Sequence, residues 1–176
     1  DHESLRTAVE LEDPNSDAVT WFRAGAVQAM LSAWTGDLEL ARNQLSVVWQ
    51  HMRDGGTELD IIWAANHMSM VDVWLGRYDD AGIAAREAVQ RADQMGARQL
   101  LLPAWNVHAE VAARTGNAAD ARSTAAAAIA AAQATGARQL AVAPTATLAF
   151  LEVSLGNYGA ALEVLQPLLA VFDAEH

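Results

Sequence analysis

The chain has 176 residues, 52% of them hydrophobic, and its 11 basic residues stand against 22 Asp and Glu, for a net charge of −11. All of the basic residues are Arg: without Lys there is no Walker A phosphate loop or Schiff-base lysine, and without Cys no thiolate nucleophile, disulfide or Cys-bearing zinc site. So acidic a surface repels a phosphate backbone and argues against direct nucleic-acid binding, and no run approaches the roughly 20 apolar residues of a membrane span.

The opening DHESLRTAVE has no initiator Met and no signal-peptide pattern, so the chain reads as a fragment of a larger, cytoplasmic protein. A partial helix is predicted over about 1–12, with Leu5, Ala8 and Val9 at core spacing. Helices follow over about 17–35, 37–54, 57–75, 77–95, 97–115, 117–135, 137–155 and 157–173, about nine in all. In the fourth, Leu59, Ile62, Trp63, Met70, Val73 and Trp74 recur at three- and four-residue steps. Most of the 39 Ala fall inside these segments, where their helix propensity is highest. Pro103 and Pro144 lie six or seven residues into theirs, so those helices either kink or begin near the proline; Pro167 should bend the last. The run Thr124 to Ala132, almost all Ala, buries little area per residue and marks the expected least stable repeat.

The segments are ordered by a 40-residue period. Gly36, Gly76, Gly116 and Gly156 carry it, and an alanine follows each five residues later: Ala41, Ala81, Ala121 and Ala161. Gly56, Gly96 and Gly136 form a second series 20 residues out of phase, so every unit is two helices, each closed by a glycine able to take the left-handed conformation of a helix C-cap. Seven residues before the first glycine lies a small residue, Ala29, Ser69, Ala109 or Ala149, which lets paired helices approach closely. Twelve and thirteen after it the columns are apolar (Val48, Ala88, Ala128, Leu168; Trp49, Val89, Ile129, Leu169) and read as the core seam. The architecture expected is all-α, a right-handed α-solenoid of antiparallel helix pairs. It forms a single array with a partial repeat at 1–16 and repeats at about 17–56, 57–96, 97–136 and 137–176.

Gly76-Arg77-Tyr78-Asp79-Asp80-Ala81 and Gly156-Asn157-Tyr158-Gly159-Ala160-Ala161 give the turn Gly-x-Tyr-x-x-Ala, which resembles the tetratricopeptide repeat, as does Asp13-Pro14-Asn15-Ser16. The period is 40 rather than the family's usual 34. Such long repeats, with Gly-Ala-Arg-Gln-Leu at 96–100 and again at 136–140, look like the sensor region of large bacterial transcriptional activators of the maltose-regulon type (MalT-like, LuxR-type ATP-dependent regulators). The resemblance implies that the first helix of each unit lines a concave groove. Its inward columns hold Arg23, Ala26, Met30, Ala33 and Trp34, then Trp63, Asn66, Met70, Val73 and Trp74. In the third unit they hold Pro103, Asn106, Glu110, Ala113 and Arg114, and in the fourth Ala143, Ala146, Phe150, Val153 and Ser154.

From these columns the candidate binding residues are Arg23, Met30, Trp34, Trp63, Asn66, Met70, Trp74, Asn106, Glu110 and Arg114. Exposed Trp and Met on a groove mark a binding surface, the Asn pair could form an amide ladder, and Arg23, Glu110 and Arg114 could orient a ligand. Trp34 and Trp74 read equally well as packing residues of the seam between repeats. The carboxylate clamp known from some tetratricopeptide domains fits poorly, because no Lys exists and Arg23 and Arg114 occupy different columns. His67 and His108 fall in neighbouring columns and could approach; His51 suits a helix end, and His2 and His176 lie at the chain ends. No catalytic site, metal or cofactor is expected. The function expected is a sensor module that binds a protein or small-molecule effector in its groove. The alternative is an interaction or oligomerisation scaffold of another signalling protein, kinase- or cyclase-linked for example, that self-associates through its array ends.

Overall fold

The computed structural model describes residues 2–13, 19–96 and 98–174, with side chains left aside at His2, Arg98 to Leu100 and Ala170 to Ala174. The fold is all-α. Nine α-helices occur among the described residues: α1 His2–Glu10, α2 Ala24–Trp34, α3 Leu38–Gly55, α4 Glu58–Trp74, α5 Tyr78–Gln94, α6 Arg98–Arg114, α7 Ala118–Ala134, α8 Val142–Ser154 and α9 Tyr158–Ala174. The chain divides into two compact units, residues 1–92 and 93–176.

In the first unit α1 packs on α2, α2 on α3 and α3 on α4; in the second α6 packs on α7, α7 on α8 and α8 on α9, so consecutive helices stack pair after pair as in a solenoid. Turns of three residues join α2 to α3, α4 to α5, α6 to α7 and α8 to α9, which forces the partners in each of these pairs to run antiparallel. Left-handed backbone occurs at Gly36, Gly76, Gly96, Gly116, Gly136 and Gly156, as their spacing predicts. Gly56 departs from the series: its φ is −82°, and a Cβ there would lie 2.7 Å from the Met52 carbonyl oxygen, so close backbone approach selects this glycine.

Two helices start late. A 3₁₀ turn at Thr20–Phe22 precedes α2 and another at Arg138–Ala141 precedes α8, whose third residue is Pro144. The second of the two outcomes expected for Pro144 is thus realised, because a proline in the first helical turn forfeits only an N–H that has no helical acceptor. Around Pro103, by contrast, α6 continues. The closing motif at 14–16 and His176 lie outside the described residues.

Burial corrects the seam. The small column is buried throughout (Ala29, Ser69, Ala109, Ala149), and Ser69 Oγ donates to the Ala81 carbonyl at 2.7 Å across the α4–α5 approach. On the second helices the buried face is Ala41, Leu45 and Met52 in α3, and Ala121, Ala125, Ala128 and Ala132 in α7. The column thirteen after the glycine is peripheral: Trp49 and Ile129 are half-buried and Leu169 is exposed. A spacing of four, three and four from the turn alanine traces this face, and thirteen falls off it by one residue, about 100° of helix. In the partial first repeat Leu5 and Val9 are half-buried and Ala8 is exposed.

Candidate functional site

Each unit places part of the expected surface. In the first, Met30 and Asn66 are buried, Trp63 and Met70 are half-buried, and both Trp63 and Met70 pack against the cluster of Ala29, Ala33, Ala41, Leu45, Met68 and Val71. Trp34 and Trp74, at the ends of α2 and α4, are 68% and 42% exposed. Of the two readings of this column, exposure therefore leaves the surface one available, and packing claims Met30 instead. Beside them Val27 and Leu31 are exposed, so α2 shows an apolar stripe at steps of four and three ending in Trp34.

Asn66 is 7% exposed, and its Oδ1 has no hydrogen-bond partner. In the second unit the Oδ1 of Asn106 is likewise buried and unpartnered. Unsatisfied buried acceptors cost roughly 1–3 kcal/mol each, so this one column holds an unpartnered buried amide oxygen in each unit.

Arg23 is drawn elsewhere. Its Nε donates to Glu12 Oε1 at 3.3 Å and its Nη2 to the Asp13 carbonyl at 3.1 Å, so it ties the end of α1 to the start of α2. The same carboxylate accepts from the backbone N–H groups of Ala24 and Gly25, both at 3.0 Å, and so caps α2 from a distant segment. A cavity of about 270 Å³ adjoins this cap, lined by Val9, Gly25, Val47, Val48, His51 and Met52 among others.

In the second unit Glu110 and Arg114 pair at 3.0 Å, and the Arg114 guanidinium lies 4.7 Å from the centroid of Phe150 on α8. This joins inward columns of successive repeats: a carboxylate, a guanidinium and an aromatic face in one cluster.

The histidines are separately occupied. His67 stacks on Trp63, ring centroids 4.1 Å apart, and its Nδ1 lies 2.8 Å from the Trp63 carbonyl oxygen; burial pushes its pKa below the ordinary value. His108, in the other unit, has Nε2 3.0 Å from Asp120 Oδ2. Among the described residues no group of three His, Asp or Glu side chains is placed to hold a metal ion.

Residue-by-residue reading of the sequence missed a recurrent Arg–carboxylate link. Arg42 on α3 donates to Asp72 on α4, and Arg122 on α7 donates to Glu152 on α8 at 2.6 Å. Partners are 30 residues apart, and the two links are 80 apart, two periods. That recurrence is the signal that could have found them. Asp60 binds the 3₁₀ turn in the same spirit: burial alone would raise its carboxyl, but hydrogen bonds from Thr20 and Thr57 outweigh that and hold it below the usual range.

No protein-family model matches the chain, and no curated relative is found by sequence. Among solved structures it is similar to one described as the crystal structure of BtubC (BKLC) from P. vanneervenii. The TM-score is 0.71 at 16% identity, and the match covers 99% of this chain and 71% of that one. The likeness is one of fold. No described helix is long and apolar enough to cross a membrane.

Proposed function

We propose that this chain is a non-catalytic binding module, the sensor segment of a multidomain bacterial transcriptional regulator in the cytoplasm, and that it takes a protein or small-molecule effector on its first-helix faces. The regulator assignment rests on the resemblance of the 40-residue repeat to the MalT-like sensor regions. The binding role rests on one observation: Trp34 is 68% exposed at the end of α2, in line with exposed Val27 and Leu31. Large apolar side chains clustered at a surface are characteristic of binding sites, and Trp is enriched among the residues that dominate interface energy. Asn66 adds a buried acceptor in an inward column.

The test is to compare Trp34→Ala, Trp74→Ala and Asn66→Ala with the parent chain for effector-dependent transcription in the full regulator. Circular dichroism serves as the control for folding. Folded variants with lost response support the reading; three folded variants with unaltered response overturn it.

A second reading, an assembly scaffold, is favoured by the same stripe seen against its internal counterparts. Val71 and Leu151 occupy the column of Leu31 in later repeats and are fully buried, while Leu31 is open. Light scattering over a concentration series, with Leu31→Glu as the blocking variant, separates the two: concentration-dependent mass abolished by the substitution supports the scaffold.

A further inference from the structure

The second unit holds a cavity of about 360 Å³ between α7, the Arg138–Ala141 turn, α8 and α9. Its walls are apolar, chiefly Ile129, Leu148, Val164 and Leu168, all half-buried. Two oppositely charged side chains, Arg138 and Glu163, line it as well and are exposed. They form no ion pair with each other, and neither has a hydrogen bond or ion pair with any described residue. That sets Arg138 apart from Arg23, Arg42, Arg91, Arg114 and Arg122, each of which is held by a carboxylate.

The backbone adds a further polar group. Pro167, inside α9, has no N–H to offer the Glu163 carbonyl four residues before it, so that oxygen lacks its helical donor. An apolar-walled space of this size is within the range of small-molecule sites. Its polar groups without a protein partner are one planar guanidinium and, separately, a carboxylate beside a carbonyl, with the neutral Gln133 amide also on the rim. A simple carboxylic acid would satisfy Arg138 and be repelled by Glu163, and a simple amine would do the reverse. Only a ligand bearing both charges matches both.

We propose that this cavity binds a small apolar zwitterion, an α-amino acid with a hydrophobic side chain. Its carboxylate pairs with the Arg138 guanidinium, whose fork suits the two oxygens. Its ammonium group is held by the Glu163 carboxylate and carbonyl, and its side chain lies on Ile129, Leu148, Val164 and Leu168. The site uses columns other than those of the proposed effector surface and stands whether or not that reading does.

The experiment is titration of the ¹³C-methyl-labelled chain with L-leucine, followed through the methyl signals of Ile129, Leu148 and Val164. Expected are saturable shifts with L-leucine, none with glycine, and affinity about tenfold weaker for both N-acetyl-leucine and leucinamide, each of which lacks one charge. Arg138→Gln and Glu163→Gln, both at exposed positions, should each weaken L-leucine by a similar factor. Absence of saturable shifts with both L-leucine and L-phenylalanine overturns the proposal. So does equal affinity for L-leucine and either blocked analogue, or unchanged affinity in either variant.

Discussion

The two cavities occupy equivalent places in the repeat, yet their chemistry is opposite. Val9, Gly25, Val47 and Val48 of the first correspond to Ile129, Thr145, Pro167 and Leu168 of the second, each pair offset by 120 residues, three periods. In the first unit the charges beside the gap are consumed internally: Glu12 takes Arg23 and two N–H groups of α2. The carboxylate lies directly over Gly25, where a Cβ would be in van der Waals contact with Glu12 Oε2 at 3.4 Å. In the second unit the equivalent Thr145 turns its hydroxyl to the Ala141 carbonyl at 2.7 Å, no carboxylate caps the helix, and Arg138 and Glu163 are left unpaired. Equivalent places in the repeat thus hold a joint sealed by paired charges in one unit and an unpaired polar rim in the other.

The largest effect expected tests whether the units are alike where no charge is involved. Leu45 and Leu151 are the fully buried leucines of the two cores, and truncating either to Ala should cost about 3 kcal/mol in urea denaturation, similar in both. A difference above about 2 kcal/mol would mean that the cores collapse around a void to different extents.

Next is the sealed joint itself. Glu12→Ala removes a cap and an ion pair and should cost about 1–2 kcal/mol, whereas Glu163→Ala should change stability by less than about 0.5 kcal/mol. Equal losses would erase the distinction between the joints. Gly25→Thr, which imports the side chain of the second unit into the first, adds two branches beyond a Cβ already in contact with Glu12 Oε2 and should reproduce part of the Glu12→Ala loss by crowding the cap.

The smallest effect concerns the Arg–carboxylate links. Burial raises the Asp72 carboxyl despite Arg42, whereas hydrogen bonds from Arg122 and Asn157 lower that of Glu152. A lowered carboxyl contributes stability that is full above its unfolded value, about 4.3, and is lost as pH falls through the folded one. A raised carboxyl binds its proton more tightly in the folded state, so its contribution declines as pH rises from its unfolded value, about 3.9, through the folded one. Glu152→Gln should therefore flatten the acid limb of the stability profile and Asp72→Asn should steepen it, as read from urea midpoints between pH 3 and 6.

Much of this architecture was legible beforehand because periodicity is a one-dimensional signal. The glycine spacing located each turn, and the small column located the close approaches. Gly56 misled, since the same residue type serves either a positive φ or a tight contact, and only the backbone tells which. Arg23 was placed on the groove by its column, but column reasoning cannot see Glu12, eleven residues earlier in the partial repeat. The candidate surface was legible only in part. Trp34 and Trp74 are exposed as a groove reading requires, while the burial of Met30 depends on how deeply α2 settles on α3 and α4. The cavity in the second unit was illegible because it is defined by what the side chains of three helices fail to fill.

Guanidinium groups alone carry the positive charge of every arginine link described above. Amine-directed chemistry, whether acetylation, ubiquitin conjugation or succinimide labelling, therefore finds no side-chain target anywhere in these 176 residues. A single Arg→Lys exchange at an exposed position such as Arg86 would create the only side-chain amine, and with it a one-site handle for attaching a dye, a tether or a crosslinker.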